Sequence, residues 1–101
     1  MSKKIHLHIT DERMLKLPEI LKWDRRIRYV KEFCDRIEVP KQLPRQVKIG
    51  KQHFTAAHIA RACKEFGINA NFIMGIEENI YLTGKIVTIK SITLRKKTAQ
   101  N

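Results

Sequence analysis

Apolar and polar positions change period twice along this chain. Over residues 4–10 they alternate, with Ile5, Leu7 and Ile9 on one side and His6, His8 and Thr10 on the other, which predicts a short strand with one buried face. The spacing then becomes helical. Thr10 is a capping residue and Asp11 and Glu12 suit a first turn, so a helix is predicted to Trp23 with Met14, Leu17, Ile20 and Leu21 turned inward. Pro18 either kinks that helix or opens a shorter one near Leu17. Asp24 is a possible cap for a second helix running from Ile27 or Arg28 to Ile37, with Phe33, Cys34 and Ile37 as its apolar stripe.

Val39 and Pro40 interrupt the pattern. A third, short helix begins between Lys41 and Pro44, because Pro44 is tolerated only in a first turn and biases Leu43 away from helical angles. Val47 points inward and Gly50 ends the segment. Thr55 caps a fourth helix over residues 56–66, with Ile59, Ala62, Cys63 and Phe66 inward and Gly67 closing it. A fifth, near residues 69–74, buries Phe72 and Ile73. From Glu78 onward period two returns, and residues 79–82 and 85–92 are predicted strands around Thr83 and Gly84.

The chain has 101 residues, 43% of them hydrophobic, which suits one domain around one modest core. That domain is expected to comprise a helical core over residues 11–75, flanking strands at 4–10 and 79–93, and a basic tail at 95–101. Lys and Arg number 21 against 10 Asp and Glu, a formal charge of +11. Charge of that size costs self-repulsion on folding, so it points to a polyanionic partner first and an anionic membrane surface second. No apolar run reaches membrane-spanning length and no secretory signal follows Met1, so a cytoplasmic location is expected.

Cys34 and Cys63 fall in helical apolar patterns without metal-ligand spacing and are read as reduced core thiols. His6 and His8 share a strand face but lack a Cys or carboxylate cluster, so that face is read as solvated, and no metal or cofactor is expected. No Gly-rich phosphate loop, no Ser or Cys with a partner His at motif spacing and no carboxylate pair in an apolar setting stand out, so the chain is not read as an enzyme.

The binding chemistry is more definite. Arg and Lys donate to guanine O6 and N7, and Gln pairs with adenine N6 and N7. Lys41, Gln42, Arg45 and Gln46 are the candidate base readers. Lys48, Lys51, Gln52, Arg25, Arg26 and Arg28 are the candidate phosphate contacts, the three arginines lying at or just before the amide end of the second helix. Arg95, Lys96 and Lys97 form either an arm reaching the DNA or a plain soluble terminus.

Five short helices in this order resemble the phage-repressor (Xre-type) helix-turn-helix domain over roughly residues 12–75. From Tyr29 to Gly50 the segment fits that family's two central helices without a gap. Cys34 stands where the family has a small residue between them, Val47 at an inward position of the recognition helix, and Gly50 at the closing glycine. The run FTAAHIARACKEFGINANFIMG is similar to the family's fourth and fifth helices, through Thr55, Ile59, Asn69, Asn71, Phe72 and Gly75, and its closest flavour is that of Xre-like regulators of Bacteroidetes and their mobile elements. Three positions depart: Glu38 where the turn usually has Gly, Pro44 where a β-branched or aromatic residue is usual, and Val30 where Gln often opens the second helix.

The resemblance implies a mainly α fold, a five-helix lambda-repressor-like core with a small β extension from both termini. It implies a transcriptional regulator that binds double-stranded DNA as a homodimer, with Lys41 to Lys48 in the major groove. An exposed strand edge is the expected dimer contact. The alternatives are an accessory factor, excisionase-like or an antitoxin, and a protein-interaction or RNA-binding module on the same fold. RNA stacking is disfavoured because Phe33, Phe54, Phe66 and Phe72 look internal.

Overall fold

Helix α1 (Ile9–Trp23) is the element on which most of the others pack. The computed structural model describes residues 7–84 and 86–92, and these are mainly helical. Following α1 come α2 (Val30–Arg36), α3 (Leu43–Lys48), α4 (Ala56–Phe66) and α5 (Ala70–Ile73), with a further helical turn at residues 89–92. α2, α3 and α5 lie against α1, and α4 bridges α2 and α5. Met14, Leu17, Ile20 and Leu21 are all buried, as their spacing predicts. Each such side chain contributes about 1.5–3 kcal/mol through the apolar surface it removes from water.

α1 starts earlier than its apparent cap. Ile9 and Thr10 are helical, and His8 is the N-cap residue, with no side-chain cap bond. The strand expected at residues 4–10 therefore fails at its C-terminal end, while residues 4–6 lie outside the described residues. Two contacts account for the early start. Ile9 packs on Gly75, where a Cβ would come within 2.7 Å of its Cγ1. Asp11 is drawn into the interior, 1% exposed, by partners on the α3–α4 loop. The helix is also continuous through the buried Pro18, so Pro18 does not open a separate, shorter helix. The intrahelical bond lost there costs about 3 kcal/mol, which the ring's own burial partly offsets.

At its other end α1 closes on a left-handed residue, Arg25 at φ 60°. Arg26 N–H donates to Leu21 O at 2.8 Å and Arg25 N–H to Lys22 O at 3.1 Å, which satisfies carbonyls that the helix end would leave orphaned. Asp24 thus terminates α1 instead of capping α2. The second helix begins only at Val30, and Ile27 fills the core from the intervening loop.

α4 follows its predicted bounds. Thr55 Oγ1 accepts from His58 N–H, and His58 Nδ1 accepts from Thr55 N–H, a reciprocal cap that satisfies two otherwise orphaned amides. Desolvation, and then the nearby Arg61 charge, hold the His58 imidazole below its usual pKa. Ala62 and Phe66 are buried, whereas Ile59 and Cys63, expected inward, are half-buried and line a shallow apolar groove with Met74 and Leu82. Burial raises the thiol pKa of Cys34, with Asp35 adding to the effect, and burial alone raises that of Cys63, so both stay protonated.

The predicted strands over 79–92 do not form. Among the described residues there is one isolated antiparallel bridge, Ile68 with Tyr81, and no named strand. Asn79 Oδ1 takes the Val87 N–H at 3.2 Å and Ile80 N–H donates to Val87 O at 2.8 Å, so the chain does double back around Gly84. Thr88 then starts a helical turn: its Oγ1 accepts from Ser91 N–H, and Ser91 Oγ accepts from Thr88 N–H. Ile89 and Ile92 are three apart, which places them on one face of a helix but on opposite faces of the expected strand. Residues 79–84 and 86–92 therefore offer no strand edge of the kind expected at a dimer contact.

Tyr81 fastens the returning segment. Buried to 2% exposure, it donates from its hydroxyl to Asp24 Oδ2 at 2.8 Å. Burial, and then that hydrogen bond, push its pKa well above the usual tyrosine value, so it remains a donor. No helix among the described residues is long and apolar enough to cross a membrane.

Candidate nucleic-acid interface

Six residues separate α2 from α3, and the first two make the turn. Ile37 ends α2, and Glu38 adopts φ 59°. Glu38 N–H donates to Asp35 O at 3.2 Å and Val39 N–H to Cys34 O at 3.0 Å. This is the left-handed helix stop that glycine usually supplies, here made by a residue with a Cβ. Cys34 has no exposed surface, and Ile37 and Val39 are buried on either side of Glu38.

α4 braces this turn from outside. Arg61 Nη1 donates to Ile37 O at 3.4 Å, and Arg61 Nε lies 3.3 Å from Glu38 Oε2. Arg36 reaches the other way, donating to Glu65 Oε1 at 3.3 Å and lying 4.5 Å over the Phe66 ring. Glu38→Gly should stabilise the fold by about 0.5–1 kcal/mol. Relief of the left-handed strain, about 1–2 kcal/mol, exceeds an exposed ion pair worth about 0–1 kcal/mol together with part of the extra chain entropy of glycine. Urea unfolding of the two proteins checks it, and a lower midpoint for the variant would count against strain at this position.

α3 is short, with Pro44 in its first turn as its chemistry requires. Leu43 and Val47 are 4% and 0% exposed and pin the helix to α1. Four residues apart, they define one inner face, which leaves Lys41, Gln42, Arg45 and Lys48 exposed. Gly50, at φ 81°, ends the helix, with Lys51 N–H donating to Gln46 O at 2.8 Å, and this turn brings Lys51 and Gln52 back beside it. From Val39 to Lys64 the sequence contains no acidic residue. Lys41, Arg45, Lys48 and Lys51 accordingly have no carboxyl partner among the described residues. This acid-free run is a signal that a residue-by-residue reading passes over.

The other candidates are placed differently. Gln46 is half-buried and its Oε1 accepts from Gln52 Nε2, so these two amides form one unit beside α3. Arg25 and Arg28 are exposed. The guanidinium of Arg26 is engaged within the fold: it donates to Asp24 Oδ2 at 3.1 Å and Phe66 O at 3.3 Å, and lies 4.2 Å over the Tyr81 ring. It ties the α1–α2 loop to the end of α4, so of the three arginines expected at phosphates it is the one already engaged within the fold. Just before α2, Arg28 N–H donates to Glu32 Oε1 at 3.1 Å, so a carboxylate stands beside the start of that helix. A carboxylate there opposes the phosphate attraction expected from a bare helix end.

Asp11 is the residue whose role the sequence hides most. From the first turn of α1 it accepts from Phe54 N–H at 2.9 Å and lies 2.6 Å from His53 Nδ1. It thereby fixes the loop that follows α3, and with it Lys51 and Gln52. Nothing distinguishes it in sequence from an ordinary acidic residue near a helix start. No protein-family model, curated protein or solved structure matches this chain.

Proposed function

We propose that this protein binds double-stranded DNA in a sequence-specific manner, as a small transcriptional regulator of the phage-repressor helix-turn-helix type. Lys41, Gln42 and Arg45 read base edges in the major groove, with the Gln46–Gln52 amide pair presented alongside them. The observation that carries this is the division of α3, with Leu43 and Val47 buried against α1 and the long polar side chains left exposed. A short helix supported by its neighbours and lined with unpaired cations is what a duplex groove admits. The left-handed turn at Glu38 supports the same reading, because it stands where that family usually has glycine. Arg25, Arg28, Lys48 and Lys51 hold phosphates and set register. Two copies bind a two-fold site with half-sites about 34 Å apart.

Selection of bound duplexes from a random pool tests the proposal. The expected product is a palindromic consensus; recovery of unrelated sequences in equal yield would overturn base reading. Lys51→Ala supplies a second measurement. It should weaken all duplexes alike and lower the slope of log affinity against log salt by about one. A sequence-dependent loss would move Lys51 from the phosphate group to the base readers.

A further inference from the structure

The fold brings together two histidines that lie 45 positions apart in sequence. His8 sits at the start of α1 and His53 on the loop after α3. Their ring centres are 5.3 Å apart, with the planes inclined at 51°. Both are exposed, and the His53 side chain keeps 65% of its surface. Behind His53 stands Asp11, itself 1% exposed, with Oδ2 2.6 Å from His53 Nδ1. We propose that His8 and His53 form a site for a zinc-class divalent ion, with Asp11 as the positioning residue.

Three features support it. Asp11 Oδ2, 2.6 Å from His53 Nδ1, can accept from that nitrogen, the arrangement in which Nε2 is the atom offered to an ion. A carboxyl group holding the far nitrogen of an imidazole is the usual support of a metal-ligating histidine, and raises its basicity. Asp11 cannot swing away, because its other oxygen accepts from the Phe54 N–H at 2.9 Å. The separation also fits: two imidazoles bound through one nitrogen each at ~2.0–2.1 Å to a tetrahedral ion hold their centres roughly 5 Å apart.

Among the described residues no group of three or more His, Cys, Asp or Glu side chains is arranged to hold a metal. Two protein ligands with water completing the shell make an open, exchangeable site. Imidazole nitrogen suits zinc, nickel and copper and offers little to magnesium or calcium. An ion there ties the start of α1 to the loop carrying Lys51 and Gln52, and does so without reference to DNA.

Titration of the full chain with zinc chloride, followed by calorimetry and by histidine ring resonances, tests the site directly. The expected result is saturable binding of one ion, with the His8 and His53 ring signals moving together, and no response to magnesium. His8→Ala should weaken binding at least ~10-fold; that side chain makes no cap bond in the fold, so the variant should remain folded. His53→Ala should do the same, while His58→Gln, altering a residue outside the pair, should bind as the parent does. Lack of saturation at millimolar zinc would overturn the proposal, as would undiminished binding by the His8 and His53 variants. Neither result depends on DNA, so failure here is distinguishable from failure of the DNA-binding reading.

Discussion

Asp11→Ala is expected to lower the unfolding free energy by about 2–4 kcal/mol, the larger of the two effects argued here. Its main part is the Phe54 N–H, a buried donor that would be left without a partner, at about 1–3 kcal/mol. A favourable acidic residue in the first turn of α1 adds about 0.3–1 kcal/mol, and the contact to His53 is lost as well. Asp11→Asn keeps an oxygen for Phe54 and should fall between the two proteins. Urea unfolding followed by circular dichroism measures the change, read from midpoints at constant slope. Amide hydrogen exchange at Phe54 shows whether the loop has come loose, because an unlatched loop opens locally before the whole domain does. An Ala variant as stable as the parent, with Phe54 still protected, would show that the loop is held by something else.

For Arg45→Ala the expected loss lies in binding. Affinity for the preferred duplex should fall by about 1–3 kcal/mol, roughly 5- to 150-fold, and discrimination at one base position should relax. Stability should be unchanged within about 0.5 kcal/mol, because the side chain is exposed and makes no hydrogen bond among the described residues. Measuring parent and variant at one salt concentration against the selected duplex and its single-base variants separates the outcomes. Equal loss on every duplex would make Arg45 a phosphate contact. No loss at all would remove α3 from the interface, since Arg45 is the exposed cation nearest the middle of that helix.

Where local chemistry was strong, the sequence was readable. The Thr55 cap, the bounds of α4, the first-turn position of Pro44, and the burial of Phe33, Val47 and Phe72 all follow from spacing and backbone restriction. The exposed face of α3 was legible for the same reason, because two apolar residues four apart leave the remaining positions outside. Period was ambiguous over residues 79–92. Short apolar alternation fits a strand, but Asn79, Thr88 and Ser91 bind nearby backbone amides and turn the chain out of extended geometry.

By itself, then, the chain determines that α1 to α5 form, most of their inward positions and the cationic, acid-free stretch from Val39 to Lys64, because these depend on neighbours within a turn or two. Tertiary structure alone decided which polar groups were occupied. Arg26 is engaged by Phe66 and Tyr81, Glu38 by Arg61, and Asp11 by His53 and Phe54, all distant in sequence; Arg26 is also engaged by Asp24, which is itself held by Tyr81. A side chain's charge is written in its sequence, but its availability is set by what packing places within hydrogen-bond reach.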